Sequence, residues 1–317
     1  MREKVKLVFI FSLPRSGSTL LQRYITLNDR FATTPETWFL LPLISPLKSD
    51  YHYSIYSARH AKDALSDIIE NNLNEKTFRE IQRDYILDFF TSISKDKPFF
   101  VEKTPRNYWI CEDIINIFGT EAKYIFLWRN PADIAASMIE TWGSGEWNLY
   151  SYESDFKIGL KNLVACFKKH SDISFQLNYE TLIDCPDKVS VSLSDYLGVE
   201  NNCFKPEFLQ YNVIKGKMGD PTGQYIKKKL ERTSHNTLNP ILRQMMFLNM
   251  IKVLKEEVES TGYSYDHIEE ELKNNRTFCL KDLFVDIKKM LYGFVYKHFQ
   301  PFILQDIIKN NIRGVLR

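Results

Sequence analysis

Cysteine is sparse in this chain: five residues (Cys111, Cys166, Cys185, Cys203 and Cys279) lie scattered through 317 positions. Their odd number and wide spacing argue against a disulfide framework, a zinc-chelating pair or a cycling dithiol, and fit a reducing compartment. Excess charge is also lacking, because 42 basic residues face 40 acidic ones and leave a net charge of +2. No global field would hold such a protein on nucleic acid or on an anionic membrane, so nucleic acid is not an expected partner and any anion site must be local. Long hydrophobic runs are missing too, since no stretch reaches the roughly 20 apolar residues that span a bilayer. The apolar opening Val5-Lys6-Leu7-Val8-Phe9-Ile10-Phe11 is short and runs into a Pro-Arg turn with no small-residue cleavage site. It reads as a buried strand rather than a secretory signal, and a cytoplasmic location is the default expectation. Internal repeats and low-complexity linkers are absent from the sequence.

What is present is apolar material for one large core: 44% of the residues are hydrophobic. The simplest division is one domain over residues 1–262 and a helical extension over 263–317. Lys6 to Ser12 is a β-rich run closed by a turn, followed by Leu20, Leu21, Tyr24 and Ile25 at helical spacing. A second strand is expected at Phe31 to Thr33, then a short, proline-broken helix from Trp38 to Leu47, and two helices between Ala58 and Ile93. Strands at Phe99 to Val101, Ala122 to Trp128 and Ser174 to Asn178 alternate with helices at Asn107 to Phe118, Asp155 to Lys169 and Lys188 to Leu197. Parallel neighbours need long crossovers, so this alternation predicts an α/β fold: a P-loop-related parallel sheet flanked by helices on both faces. Ligands in such sheets sit beyond the carboxyl ends of the strands.

The first such end carries Ser12-Leu13-Pro14-Arg15-Ser16-Gly17-Ser18-Thr19, a strand-to-helix loop whose N–H groups can converge on an anion. Gly17 permits close approach, and Ser18 and Thr19 add hydroxyl donors. Against the nucleotide-binding pattern G-x-x-x-x-G-K-[ST], Ser12 replaces the first glycine, Ser18 replaces the lysine, and the cation has moved to Arg15. An ordinary P-loop enzyme needs that lysine and an acidic strand end for magnesium. The strongest strand here ends in Arg129 instead, which disfavours ATP or GTP, although Glu102 keeps a kinase of a small hydroxylated molecule open.

Pro14 to Thr19 resembles the 5′-phosphosulfate loop of sulfotransferases that use 3′-phosphoadenosine 5′-phosphosulfate (PAPS), and Arg15 makes it more similar to the tyrosylprotein-type and bacterial branch. The resemblance runs from about Lys6 to Pro221 and assigns residues 1–262 to a sulfotransferase domain. It implies PAPS as cofactor, adenosine 3′,5′-bisphosphate as its product, no metal, and in-line transfer of a sulfuryl group to a hydroxyl. Arg129 and Ser137, at the start of Arg129-Asn130-Pro131 and two turns into the following helix, match the family's 3′-phosphate site. Tyr179, in Tyr179-Glu180-Thr181-Leu182, matches the tyrosine that lies against the adenine. Lys215 to Pro221 corresponds to a late basic segment that closes on the cofactor. By the same resemblance Lys103 stabilises the bridging oxygen beside Arg15, and Glu36, in Thr34-Pro35-Glu36-Thr37-Trp38, is the general base. None of the six histidines lies in these strand-end motifs.

The acceptor pocket is expected from Trp38, Phe39 and the helical region up to Ile93, and nothing there selects among a small molecule, a glycan, a lipid or a tyrosyl acceptor. A relative that binds nucleotide or glycan without catalysis is the rival of another class. In the tail, Leu280, Phe284, Ile287, Leu291, Phe294 and His298 recur at helical spacing among basic residues. Such a helix packs on its own domain, pairs two copies as a homodimer, or makes a peripheral membrane contact, and the first two uses are the ordinary ones.

Overall fold

The computed structural model describes residues 3–48, 57–200, 214 and 236–299. The basic segment Lys215 to Pro221 lies outside the described residues. The chain divides into two compact units, Met1–His52 with Ala58–Arg129 and Asn162–Arg232, and Tyr53–Ser57 with Asn130–Lys161 and Thr233–Arg317. No described helix is long and apolar enough to cross a membrane.

The first unit is built on a five-stranded parallel sheet in the order β2-β3-β1-β4-β5. Its strands are β1 (Lys6–Ser12), β2 (Phe31–Thr33), β3 (Phe99–Glu102), β4 (Lys123–Trp128) and β5 (Ser174–Asn178). β1 lies at the centre, with Phe9 opposite Glu102 of β3 and Ser12 opposite Leu127 of β4. Six of its seven residues are buried, because a parallel strand covered on both faces has no solvent side. Val8 and Ile10 enter one cluster with Leu20, Leu21 and Tyr24 of helix Ser18–Ile25 and Leu193 of helix Pro186–Leu197. Phe9 and Phe11 point to the other face, where Phe9 packs with Tyr124 and Phe118 and Phe11 with Phe126. Phe126 in turn meets Phe167 of helix Lys161–Lys169 at 5.3 Å. The period-two pattern of β1 is therefore read by helices on both sides, as the fold class requires.

The elements follow the sequence expectation with local departures. The helix expected from Asn107 is split into a 3₁₀ turn, Pro105–Trp109, and a helix, Cys111–Phe118. Between Ala58 and Ile93 the break falls at Asn74, whose side chain accepts from Thr77 N as the N-cap of Glu75–Ile93. The stretch from Asp155 opens with a π-helical turn, Asp155–Leu160.

The second unit is helical. Phe247, Ile251, Leu254, Val258, Ile268 and Leu272 are buried there, and Phe156 meets Phe247 edge-on at 6.2 Å. Its helix Leu280–Phe299 is fastened by polar and aromatic side chains. Arg243 Nε donates to buried Asp286 at 2.8 Å, Lys289 pairs with Glu146 at 2.7 Å, and Tyr150 packs against Tyr292 and Tyr296. The apolar residues that defined the helix in the sequence are exposed: Leu280 by 60%, Phe284 by 71%, Leu291 by 67% and Phe294 by 63%. Hydrophobic periodicity identified the helix but not the side by which it is held.

Candidate active site

Every strand of the sheet hands one segment to the same edge. β1 leads into the loop Leu13 to Gly17, β2 into Thr34 to Trp38, β3 into Lys103 to Arg106, β4 into Arg129 and β5 into Tyr179. All five lie in the first unit. Ser137 lies within helix Pro131–Gly143 of the second unit, whose N-cap Asn130 accepts from Ala132 N at 2.9 Å with Pro131 in the first turn.

In the loop after β1 the backbone is left-handed at Arg15 (φ 67°) and again at Gly17 (φ 90°). Alternation of this kind turns neighbouring N–H groups to one side and makes a concavity suited to an anion. Gly17 is also the N-cap of Ser18–Ile25 and offers no side chain to the first-turn N–H groups. Pro14, Ser16 and Ser18 are buried, Arg15 and Thr19 half-buried. The Ser12 hydroxyl, fully buried at the root of the loop, has no hydrogen-bond partner among the described residues. A buried hydroxyl without a partner costs free energy, so this donor and the turned N–H groups fit a loop that holds an oxyanion.

Arg129 locks this loop from β4. Its Nη1 donates to the Arg15 carbonyl at 2.7 Å, and its guanidinium lies 4.4 Å from the centroid of the Tyr179 ring. Tyr179 presses on the loop itself: a Cβ added at Gly17 would fall 2.3 Å from Tyr179 Cδ2. Three segments far apart in sequence thus share one contact, and Gly17 is required there by both conformation and space.

A second cluster joins the loop to β2 and β3. Lys103 is 2% exposed; its Nζ donates to Glu36 Oε1 at 2.8 Å and to Thr19 Oγ1 at 3.2 Å. An ammonium has three N–H groups, and among the described residues two are engaged. Glu36 also accepts from Trp38 Nε1 at 3.2 Å on its other oxygen. Gln22 of helix Ser18–Ile25 holds the base of the Glu36 loop, donating to Thr33 Oγ1 at 2.6 Å and Thr34 O at 2.9 Å. Trp38 is left-handed (φ 51°), a conformation that costs a non-glycine residue about 1–2 kcal/mol. Phe39, beside it, stacks on Phe89 with ring centroids 3.9 Å apart and meets Tyr85 at 5.8 Å, so the aromatic surface expected near the acceptor is partly packed within itself.

Sequence reasoning weighed Glu102 only as a metal-type acid. In the structure it is 2% exposed and accepts from Thr104 Oγ1 at 2.7 Å, Thr37 Oγ1 at 3.2 Å and Asn107 Nδ2 at 3.4 Å. Burial pushes its carboxyl up to about 7, against the opposing pull of these hydrogen bonds and of Lys103. Gln22, Thr37 and Thr104 were missed as well. No local pattern marks them, because each acts on a residue brought near only by the sheet.

The profile of the sulfotransferase family matches residues 8–202. Nodulation protein NoeE of Sinorhizobium fredii is 29% identical over 135 residues, 43% of this chain and 31% of that protein. An uncharacterized protein of Aquifex aeolicus is 21% identical over 234 residues, 72% of this chain and 29% of that protein. The chain therefore spans about three-tenths of the length of the curated relatives it matches. Among solved structures, the sulfotransferase domain from the curacin biosynthetic pathway is 20% identical with a TM-score of 0.42, covering 79% of this chain and 97% of that one. Mouse sulfotransferase SULT7A1, solved in complex with PAP, is 14% identical with a TM-score of 0.47, covering 85% of this chain and 88% of that one. With more than half of its length matched by the family profile, the chain belongs to the sulfotransferase family.

Proposed function

We propose that this protein is a sulfotransferase that uses PAPS and a hydroxyl acceptor, with Glu36 as general base and Arg15 and Lys103 as electrostatic stabilisers. The supporting observation is the bridge made by Lys103, which ties Thr19 of the phosphate-type loop to Glu36 at 3.2 and 2.8 Å. Bound PAPS supplies a sulfuryl group on a phosphate leaving group and a second phosphate at the other end of the nucleotide. The loop N–H groups of Arg15 to Thr19, with the Ser12, Ser16, Ser18 and Thr19 hydroxyls, suit the 5′ end, and Pro14 shapes the turn. Arg129 and Ser137 are the residues assigned to the 3′-phosphate, and Tyr179 to the adenine.

For in-line transfer, the acceptor oxygen must be deprotonated while a cation meets the charge growing on the leaving oxygen. Glu36 takes the proton at a carboxylate oxygen. Lys103 directs its remaining N–H at the leaving oxygen, and its contact to Glu36 keeps the two within one hydrogen bond. Its buried ammonium cannot swing into water without breaking both bonds. The acceptor is read as a small molecule, glycan, lipid alcohol or tyrosyl hydroxyl, and the protein as cytoplasmic.

Radiolabelled PAPS offered with a panel of a phenol, a monosaccharide, a lipid alcohol and a tyrosyl peptide tests this directly. Label is expected in at least one acceptor and to disappear in Glu36→Gln, while calorimetry with adenosine 3′,5′-bisphosphate still shows binding. No heat with that nucleotide, or protection from unfolding by ATP and magnesium in its place, would overturn the reading.

A further inference from the structure

We infer that Glu102 is a positioning residue for the reaction: its two carboxylate oxygens orient two threonine hydroxyls that fix the Glu36 loop against the Lys103 turn. The inference rests on the proposed role of Glu36, and its argument is geometric. Thr104 Oγ1 donates to Glu102 Oε1 at 2.7 Å and accepts from Trp38 N at 3.4 Å. Thr37 Oγ1 donates to Glu102 Oε2 at 3.2 Å and accepts from Phe39 N at 3.3 Å. A hydroxyl has one proton and two lone pairs, so an acceptor that takes the proton fixes the rotor and leaves a lone pair facing the loop N–H. Glu102 receives both protons, one on each oxygen, because an ionised carboxylate is acceptor-only.

The consequence reaches the reacting groups. The relays hold the N–H groups of Trp38 and Phe39, hence the left-handed turn at Trp38, and the Trp38 indole in turn donates to Glu36 Oε2 at 3.2 Å. Lys103, the residue after Glu102, takes the other oxygen of Glu36 at 2.8 Å. Glu36 is therefore clamped on both oxygens by groups whose placement depends on Glu102. A glutamine of the same shape can accept from only one threonine. Its amide NH₂ would face the other hydroxyl, deprive that proton of its acceptor, and leave the hydroxyl free to rotate away from the loop N–H.

The test uses the indole N–H signals of the full-length protein, with Trp38 identified by Trp38→Phe. In Glu102→Gln the Trp38 signal is expected to leave its downfield, carboxylate-bonded position and approach that seen in Glu36→Gln, while the other indole signals and the heat of binding adenosine 3′,5′-bisphosphate stay as in the parent. With the acceptor labelled in the panel above, kcat should fall about 100-fold, the scale of an ångström of misplacement, with KM for PAPS retained. A Trp38 signal that stays at the parent position in Glu102→Gln overturns the inference, whatever the activity. If that variant fails to fold, Thr37→Val and Thr104→Val each remove one relay, and an unmoved Trp38 signal in both has the same meaning. An unchanged transfer rate in Glu36→Gln with a displaced Trp38 signal in Glu102→Gln would instead sink the role of Glu36 and leave the relay standing.

Discussion

At the scale of single residues, Gly17 bears two independent constraints. Its φ of 90° excludes ordinary side chains, and the Tyr179 ring occupies the space where a Cβ would go. Gly17→Ala is therefore expected to abolish calorimetric binding of adenosine 3′,5′-bisphosphate and to lower stability in urea by at least the roughly 1–2 kcal/mol of a left-handed alanine. Adding Tyr179→Ala should recover the steric part of the loss and leave the conformational part. The strand-to-helix turn at Arg15 and Gly17 was readable from spacing alone, because such a turn makes demands on consecutive residues. The contact with Tyr179 was not readable, since 162 positions separate the two residues.

At the scale of elements, the helix Leu280–Phe299 shows how a correct periodicity can mislead about packing. Its apolar stripe is exposed, and the helix is tied to its own unit by Asp286, which is fully buried against Arg243. Arg243 also donates to Gly145 O at 2.9 Å and Thr237 O at 3.0 Å, so one guanidinium joins two helices, a loop and the 3₁₀ turn Asn236–Leu238. Asp286→Ala should cost on the order of 3–5 kcal/mol, because it strands a buried cation. The double variant Asp286→Leu with Arg243→Met should cost less than the single one. Equal costs in urea unfolding would show that the pair is not what holds the helix.

At the scale of the whole molecule, stability should carry the signature of Glu102. Its carboxyl is raised from an ordinary 4.5 to about 7 by burial, so between these values the folded state binds a proton that the unfolded state has released. The stabilisation from the protonated form is complete below pH 4.5 and is lost as pH rises through 7, a change of roughly 3 kcal/mol. Glu102→Gln has no such proton. Relative to the parent, that variant should gain stability as pH is raised from about 5 to about 8, and a difference independent of pH would refute the prediction. In the parent, the same titration means that the fully relaying carboxylate is the form present above neutrality.

The alternation of strands and helices, the strand-to-helix loop with its displaced cation, and the strand-end placement of Glu36, Lys103, Arg129 and Tyr179 follow from the order of residues along the chain. Each depends on local rules: the period of the apolar residues, the turn chemistry of Gly and Pro, and the absence of a lysine at one position of a short loop. Folding is what makes Lys103 bridge Thr19 and Glu36, partners 84 and 67 positions away in the chain. It also sets the buried Glu102 against the hydroxyls of Thr37 and Thr104. Long-range hydrogen bonds of buried side chains leave no periodic trace, because they are selected by the register of a parallel sheet whose neighbours come from distant parts of the chain.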